Sequence, residues 1–414
     1  MNEQRSLTRD ADFVKVWVGE TISDFGDQIT LLAIPLTAVI VLSATPFEMG
    51  LLAAAGTLPT ALFSLPAGVW VDRLPRRPIL IAADAGRALV LATVPIAFVA
   101  GTLGLAQLYA VAFIAGTLSV FFLLAYQSYL PTLVGPAQLV DANGRMNASS
   151  SVAQMTGPSV AGVLVQLFTA PMPVVIDALS FVASGMGLLL IRKAESPVAP
   201  RRRDMRAEIG EGMRALLGHD VLRAIVIAGA IIVFLYSAGL AIFLLYLSRE
   251  VGLEPSAIGV LLAVGSIGAL GGAVLASRVA RRIGVGPAFM LAFYLFVAGQ
   301  ASRAAVIEPR EAAFASIAVA QFAALFGLAV ANVLNPAIRQ ALTPAALLGR
   351  VNASYRFLVW GTGPAGAVFG GTLAQAIGPR PALIIAGCAM SIGLIVLLRS
   401  PLPAMRAMEA RAPA

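Results

Sequence analysis

Long apolar runs alternate with short polar gaps along the whole chain. Twelve runs reach the roughly 20 mostly apolar residues that a helix needs to cross hydrocarbon. They are 13–41, 47–71, 78–100, 104–132, 147–169, 172–192, 221–248, 255–279, 285–307, 312–338, 352–377 and 380–399. Each is predicted as a helix, because a lone strand would leave backbone groups unsatisfied in lipid. The longest polar gap, 193–220, carries arginines, acids, Pro197 and Pro200. It divides the chain into an N-terminal six-helix bundle (1–192), a cytoplasmic linker (193–220) and a C-terminal six-helix bundle (221–414). The linker reads as a solvated segment with affinity for anionic lipid. Alternatively, Met205 to Leu217 forms an amphipathic helix lying on the membrane surface. The predicted class is an all-α integral membrane protein.

Composition agrees. Of 414 residues 59% are apolar and 12% charged, against about 25% charged in soluble domains. So few charges exclude an ordinary soluble enzyme, a disordered chain and a fibre. The net charge of +8 raises nucleic acid as a partner, but the basic residues sit in gaps between apolar runs rather than on a polar module. With the N-terminus inside, 24 of the 29 basic residues fall on the cytoplasmic side. Both termini are therefore assigned to the cytoplasm. Arg303, at the outer end of span nine, is expected to extend to the membrane boundary. The first apolar run is too long for the core of a cleavable signal peptide. A single histidine, His219, and a single cysteine, Cys388, supply neither a disulfide framework nor a metal-site or nucleophile constellation. That argues against a membrane-embedded enzyme.

The two halves repeat at an offset of 205 residues. Pro131 matches Pro336, and Gly144-Arg145-Met146-Asn147-Ala148-Ser149 matches Gly349-Arg350-Val351-Asn352-Ala353-Ser354. Arg73, Arg76 and Arg77 match Arg278, Arg281 and Arg282, while Gly157-Pro158 matches Gly363-Pro364 at an offset of 206. Parallel six-helix repeats with a substrate site between them are a transporter plan. No selectivity-filter loop indicates a channel, and no P-loop indicates ATP as the energy source. A scaffold or sensor without transport activity remains the rival class.

Acids inside apolar runs are the most informative positions, since each costs about 2.5–3.5 kcal/mol at a helix centre. Glu20, Asp24 and Asp27 follow i, i+4, i+7 spacing and share one face of span one. Asp27 lies roughly 21 Å along the helix from Phe13, at 1.5 Å per residue. Such a stripe must face the protein interior. It can carry protons, bind a cationic substrate, or serve as a structural hydrogen-bond cluster. Asp177, in span six, either lines the cavity or bonds neighbouring backbone. Asp84 and Arg87, three residues apart in span three, are predicted to form a local ion pair feeding the arginines of loop 2–3. Candidate cavity residues are Tyr126, Gln127, Gln154, Gln166, Tyr236, Gln321, Asn332, Asn335 and Trp360, with Phe121 and Phe122 as an aromatic wall. Gly162, Gly366 and Gly370 are expected at close helix approaches.

Several motifs resemble those of a known family. Gly68-Val-Trp-Val-Asp72-Arg73-Leu-Pro-Arg76-Arg77 resembles the loop 2–3 signature of the major facilitator superfamily. Ile22-Ser-Asp-Phe-Gly26-Asp27, Asp84-Ala-Gly-Arg87, Tyr126-Gln-Ser-Tyr-Leu-Pro131 and Asp177-Ala-Leu-Ser-Phe181 resemble the branch containing enterobactin exporters and macrolide efflux proteins. Gly157-Pro158-x-x-x-Gly162 partly resembles the glycine-proline motif of antiporters in that superfamily. The resemblance implies the major facilitator fold, twelve transmembrane helices in two rocking bundles. It implies a bacterial plasma-membrane carrier that exports an amphipathic small molecule, drug or natural product, by proton antiport. Dedicated siderophore or metabolite export, or proton-linked uptake, is the alternative. It implies gating for Asp72, which would meet the start of span eleven, and for Arg73, Arg76 and Arg77. Expected partners are the small-molecule substrate and membrane lipid, with no nucleic acid, no cofactor beyond the proton gradient, and a monomeric chain.

Overall fold

The computed structural model describes residues 7–71, 73–193, 195, 205–305 and 308–406. Among these, helix is the only extended secondary structure. The helices are α1 (Ala11–Leu36), α2 (Pro46–Val71), α3 (Arg76–Val99), α4 (Leu105–Val134), α5 (Leu139–Phe168), α6 (Val174–Leu189), α7 (Met205–Gly218) and α8 (Asp220–Arg249). They continue as α9 (Pro255–Ile283), α10 (Val285–Ser302), α11 (Arg310–Leu342), α12 (Leu348–Trp360), α13 (Gly363–Ile377), α14 (Pro379–Ala389) and α15 (Ser391–Leu398). Nine spans among the described residues are long and apolar enough to cross a membrane. The remaining three apolar runs fall on α5, on the shorter α6 and on the pair α12–α13. Span eleven breaks after Trp360, where Pro364 cannot donate the next helical hydrogen bond. Thr362 Oγ1 donates instead to Ala230 O at 3.1 Å.

The chain divides into two compact units. One comprises Met1–Ala44, Ala55–Arg202 and Glu254–Val260; the other comprises Thr45–Ala54, Arg203–Leu253 and Leu261–Ala414. The units thus take one short segment each from the opposite half of the sequence.

In the first unit α1 is the central element, packed against α5 and α6. It starts at Asp10, whose Oδ1 accepts from Asp12 N at 3.0 Å and Phe13 N at 3.3 Å. Such a cap contributes about 1 kcal/mol. Glycines set the helix spacing. A Cβ on Gly26 would stand 2.4 Å from both Asp177 Oδ1 and Ser180 Oγ of α6, and one on Gly19 would stand 3.1 Å from Ser184 Cα. Gly19 and Gly26 are seven residues apart, so one side of α1 lies flush on α6. The neighbouring side is left to the acid stripe. Below it, Phe13, Val16, Leu80, Ala125 and Tyr129 form a buried cluster.

In the second unit α8 packs against α13, α14 and α15. Gly366 and Gly370 allow this, since their Cβ atoms would lie 2.0 Å from Phe234 O and 2.1 Å from Ala238 O. The linker helix α7 is protein-bound rather than lying freely on lipid. Gly212 packs on the Arg350 carbonyl of α12, Leu216 is buried, and Glu211 accepts a hydrogen bond from Arg350 Nη1. Arg303 also departs from expectation. It is 3% exposed, with its guanidinium 4.4 Å from the Phe243 ring centroid. Gly239 opens the space that draws it inward, its absent Cβ leaving room for Arg303 Nη2.

Candidate functional site

The acid stripe opens onto a cavity of about 380 Å³ in the first unit. Glu20, Asp24 and Asp27 line it from α1, Arg87 from α3, Phe122 and Tyr126 from α4, and Met146, Asn147 and Ser150 from α5. Asp27 is exposed into this space, while Glu20 and Asp24 are half-buried. Glu20 Oε1 accepts from Ser184 Oγ at 3.5 Å. Tyr126 stacks on Phe122 with ring centroids 6.2 Å apart, and its hydroxyl has no hydrogen-bond partner.

Arg87 is the cation of this wall. Its Nη2 donates to Asp84 Oδ1 at 2.5 Å, and both side chains are almost wholly buried. The guanidinium lies 3.9 Å from the Phe181 centroid and 4.4 Å from that of Phe122. Two rings and one carboxylate therefore hold it in place. The local ion pair expected from the spacing of Asp84 and Arg87 is present, and Arg87 also lines the cavity of the α1 acids. Asp177 does not line the cavity. It is buried at the α1–α6 contact, where Ser180 Oγ donates to its Oδ1 at 3.1 Å. Three carboxylates of α1 and the guanidinium of the Arg87–Asp84 pair thus share one cavity.

Of the polar candidates Tyr126 alone lines this cavity. Gln127 and Asn332 are exposed elsewhere, Gln154 donates to Ser150 Oγ of the cavity wall at 3.3 Å, and Trp360 is 56% exposed. Gln166 donates to Glu254 Oε2 at 3.0 Å. Tyr236 packs on Phe296, Gln321 is buried beside Gly265, and Asn335 donates to Tyr355 Oη at 2.7 Å. Phe121 stacks on Trp70 rather than facing the acids. Asn147 and Ser150 went unrecognised, although Asn147 belongs to the repeated Gly-Arg-x-Asn-Ala-Ser motif.

Asp72 lies outside the described residues. Arg73 is exposed. Arg76 and Arg77 converge on a residue that sequence reasoning missed, Glu195. Its carboxylate accepts from Arg76 N at 2.8 Å, Arg77 N at 3.2 Å and Arg76 Nη1 at 3.3 Å. Arg77 also donates to the Leu188 and Leu189 carbonyls at 2.9 and 2.8 Å. Asp12 Oδ2 accepts from Arg192 N and Lys193 N at 3.2 and 3.1 Å. The starts of α1 and α3 are thus tied to the chain leaving α6. No group of His, Cys, Asp and Glu among the described residues is arranged to hold a metal ion.

Residues 6–414 match the family model described as transmembrane secretion effector. The chain belongs to that family. Transmembrane secretion effectors of this kind are transporters of the major facilitator superfamily. An MFS-type transporter of Bacillus subtilis (strain 168), YfiS, is 25% identical over 92% of this chain and 91% of its own. The multidrug efflux pump Tap of Mycolicibacterium fortuitum is 28% identical over 90% of both chains. The macrolide efflux protein A of Streptococcus pyogenes is 24% identical over 56% of this chain and 57% of its own. Among solved structures, a bacterial homologue of the iron transporter ferroportin in the inward-facing state superposes with a TM-score of 0.73. It has 18% identity and covers 95% of this chain and 99% of that one. The likeness establishes the major facilitator fold for this secretion effector, a multi-pass membrane transporter.

Proposed function

We propose that this transporter exports a cationic amphipathic small molecule in exchange for protons across a bacterial plasma membrane, with both termini in the cytoplasm. The observation that carries the reading is the cavity in which Glu20, Asp24 and Asp27 stand opposite Phe122 and Tyr126. A cation with an apolar body pairs its charge with the acids and lays its hydrophobic part on the rings. Protons compete for the same carboxylates, so loading of one expels the other. Only a ligand that distinguishes the two bundle arrangements drives the cycle. Asp27 is the primary exchanging group, with Asp24 beside it. Glu20, bonded to Ser184, and Asp177, under Gly26, adjust the local charge. Asp72 and Arg73 act at the gate beyond them. Relatives that efflux drugs and macrolides support the outward direction.

The test uses everted vesicles loaded with the protein and a pH-sensitive dye reporting collapse of an imposed proton gradient. A panel of lipophilic cations and uncharged amphipathic compounds is added to wild type and to Asp27→Asn. Proton release driven by cations in wild type and lost in the variant is expected. Equal release by both proteins would remove Asp27 from the coupling role.

A further inference from the structure

The two arginine clusters of the repeat are balanced differently. In the first unit, Glu195 from the chain after α6 clasps the start of α3. In the second unit, the chain after α15 makes the corresponding contact with the start of α10. There Gly286 N donates to the Met405 carbonyl at 2.8 Å. The approach is so close that a Cβ on Gly286 would lie 2.0 Å from Leu402 O. Gly284, at φ +95°, would place a Cβ 3.2 Å from Arg406 Cα. A backbone carbonyl thus stands where the first unit has a carboxylate. The sequence also loses the acid at the corresponding place. Glu195 precedes Ser196-Pro197, whereas Arg399 precedes Ser400-Pro401.

The result is a notch of about 570 Å³ with Arg281, Arg282 and Arg406 on its walls and Ile283, Pro287 and Pro403 among its apolar lining. No described carboxylate is bonded to these three arginines. Like charges gathered this way repel unless an anion joins them. The notch sits at the start of α10, a helix from Val285 that is long and apolar enough to cross a membrane, and the ends of such spans meet lipid headgroups.

We propose that this notch binds the phosphate of an anionic phospholipid headgroup, with the glycerol and upper acyl chain lying on Ile283 and Pro287. Arginine offers paired donors to phosphate oxygens, and basic pockets at span ends recruit anionic lipid. A free phosphate satisfies the arginines but leaves the apolar lining uncovered.

The experiment uses the full chain in detergent, with native mass spectrometry for bound lipid and thermal unfolding for stabilisation. The probes are phosphatidylglycerol, diacylglycerol and inorganic phosphate. Phosphatidylglycerol is expected to remain bound and to raise the melting temperature; the other two are not. The triple variant Arg281→Gln/Arg282→Gln/Arg406→Gln is expected to bind it roughly tenfold or more weakly. Its Lys counterpart, which keeps the charge, should retain part of the binding and shows that the fold survives. Arg223→Gln, removing a cation paired with Asp220 at 2.7 Å outside the notch, should bind as wild type does. Equal retention by wild type and the Gln variant overturns the proposal, as does equal weakening by Arg223→Gln. Stabilisation by inorganic phosphate matching that by phosphatidylglycerol overturns the lipid as ligand.

Discussion

Arg87 and Asp84 share a 2.5 Å hydrogen bond one turn apart on α3, with side chains 5% and 0% exposed. Removing one partner of a buried pair strands the other charge and costs about 3–5 kcal/mol. Arg87→Gln is therefore expected to lower the melting temperature sharply. The double variant Arg87→Gln/Asp84→Asn should recover a substantial part of the loss, because neither charge remains. Melting curves of the wild type, both single variants and the double variant measure that coupling. Additive losses would mean that the two side chains act independently.

Glu195 makes a second testable contact. Its carboxylate takes both first-turn amides of α3, Arg76 N and Arg77 N. A charge at a helix N-terminus contributes about 0.3–1 kcal/mol, and a cap about 1 kcal/mol. Glu195→Ala should loosen the first turn without unfolding the unit. Hydrogen exchange at residues 76–80 should rise several-fold while exchange in the centre of α3 stays unchanged. Protection equal to wild type at those amides would show that the clasp contributes nothing.

The glycine contacts predict opposite outcomes for one substitution. Gly366→Ala would bring a methyl group to 2.0 Å from Phe234 O, whereas Gly56→Ala meets nothing within 4 Å. Overpacking against backbone costs about 1–3 kcal/mol. Gly366→Ala should therefore lower the melting temperature by several degrees, and Gly56→Ala should leave it near wild type. Similar melting temperatures for the two variants would contradict the close approach of α13 to α8.

Much of this architecture is legible in the sequence, and the reason differs by residue. The acid stripe of α1 stands out because charge is costly in an apolar run, so periodicity alone reveals a shared interior face. Gly162, Gly366 and Gly370 are legible for the same kind of reason, and each meets a backbone carbonyl where a Cβ would be. Arg87 was harder. Its distance along span three says how deep it lies but not which neighbours it meets, and Phe122 and Phe181 come from other helices. Glu195 stands in a polar gap, where any acid looks solvated. Gln127, Asn332 and Trp360 show the converse limit. One polar or aromatic residue in an apolar run does not specify its face. Arg303 reads as a boundary residue until Gly239, sixty-four positions earlier, is seen to make room for it.

Competition at Asp27 has a definite sign. A cationic ligand binds the ionised carboxylate and a proton removes that form, so apparent affinity must fall as pH falls. Each unit of pH below the titration range weakens binding by up to about tenfold per coupled proton. Asp27→Asn mimics the protonated state permanently. It should bind the cation weakly at every pH, with the slope flattened to whatever Asp24 and Glu20 retain. An uncharged amphipathic compound, having nothing to pair with the acids, should bind wild type and variant alike with little pH dependence. Ligand-induced quenching of tryptophan fluorescence, with Trp17 on α1 donating to Ser149 Oγ at 2.8 Å beside the cavity, offers the readout. Titrations between about pH 5.5 and 8.5 compare wild type with variant on both sides of neutrality. If cation binding proves equally steep in Asp27→Asn, the exchanging carboxylate is another member of the stripe, and Asp24→Asn is the variant that must then flatten it.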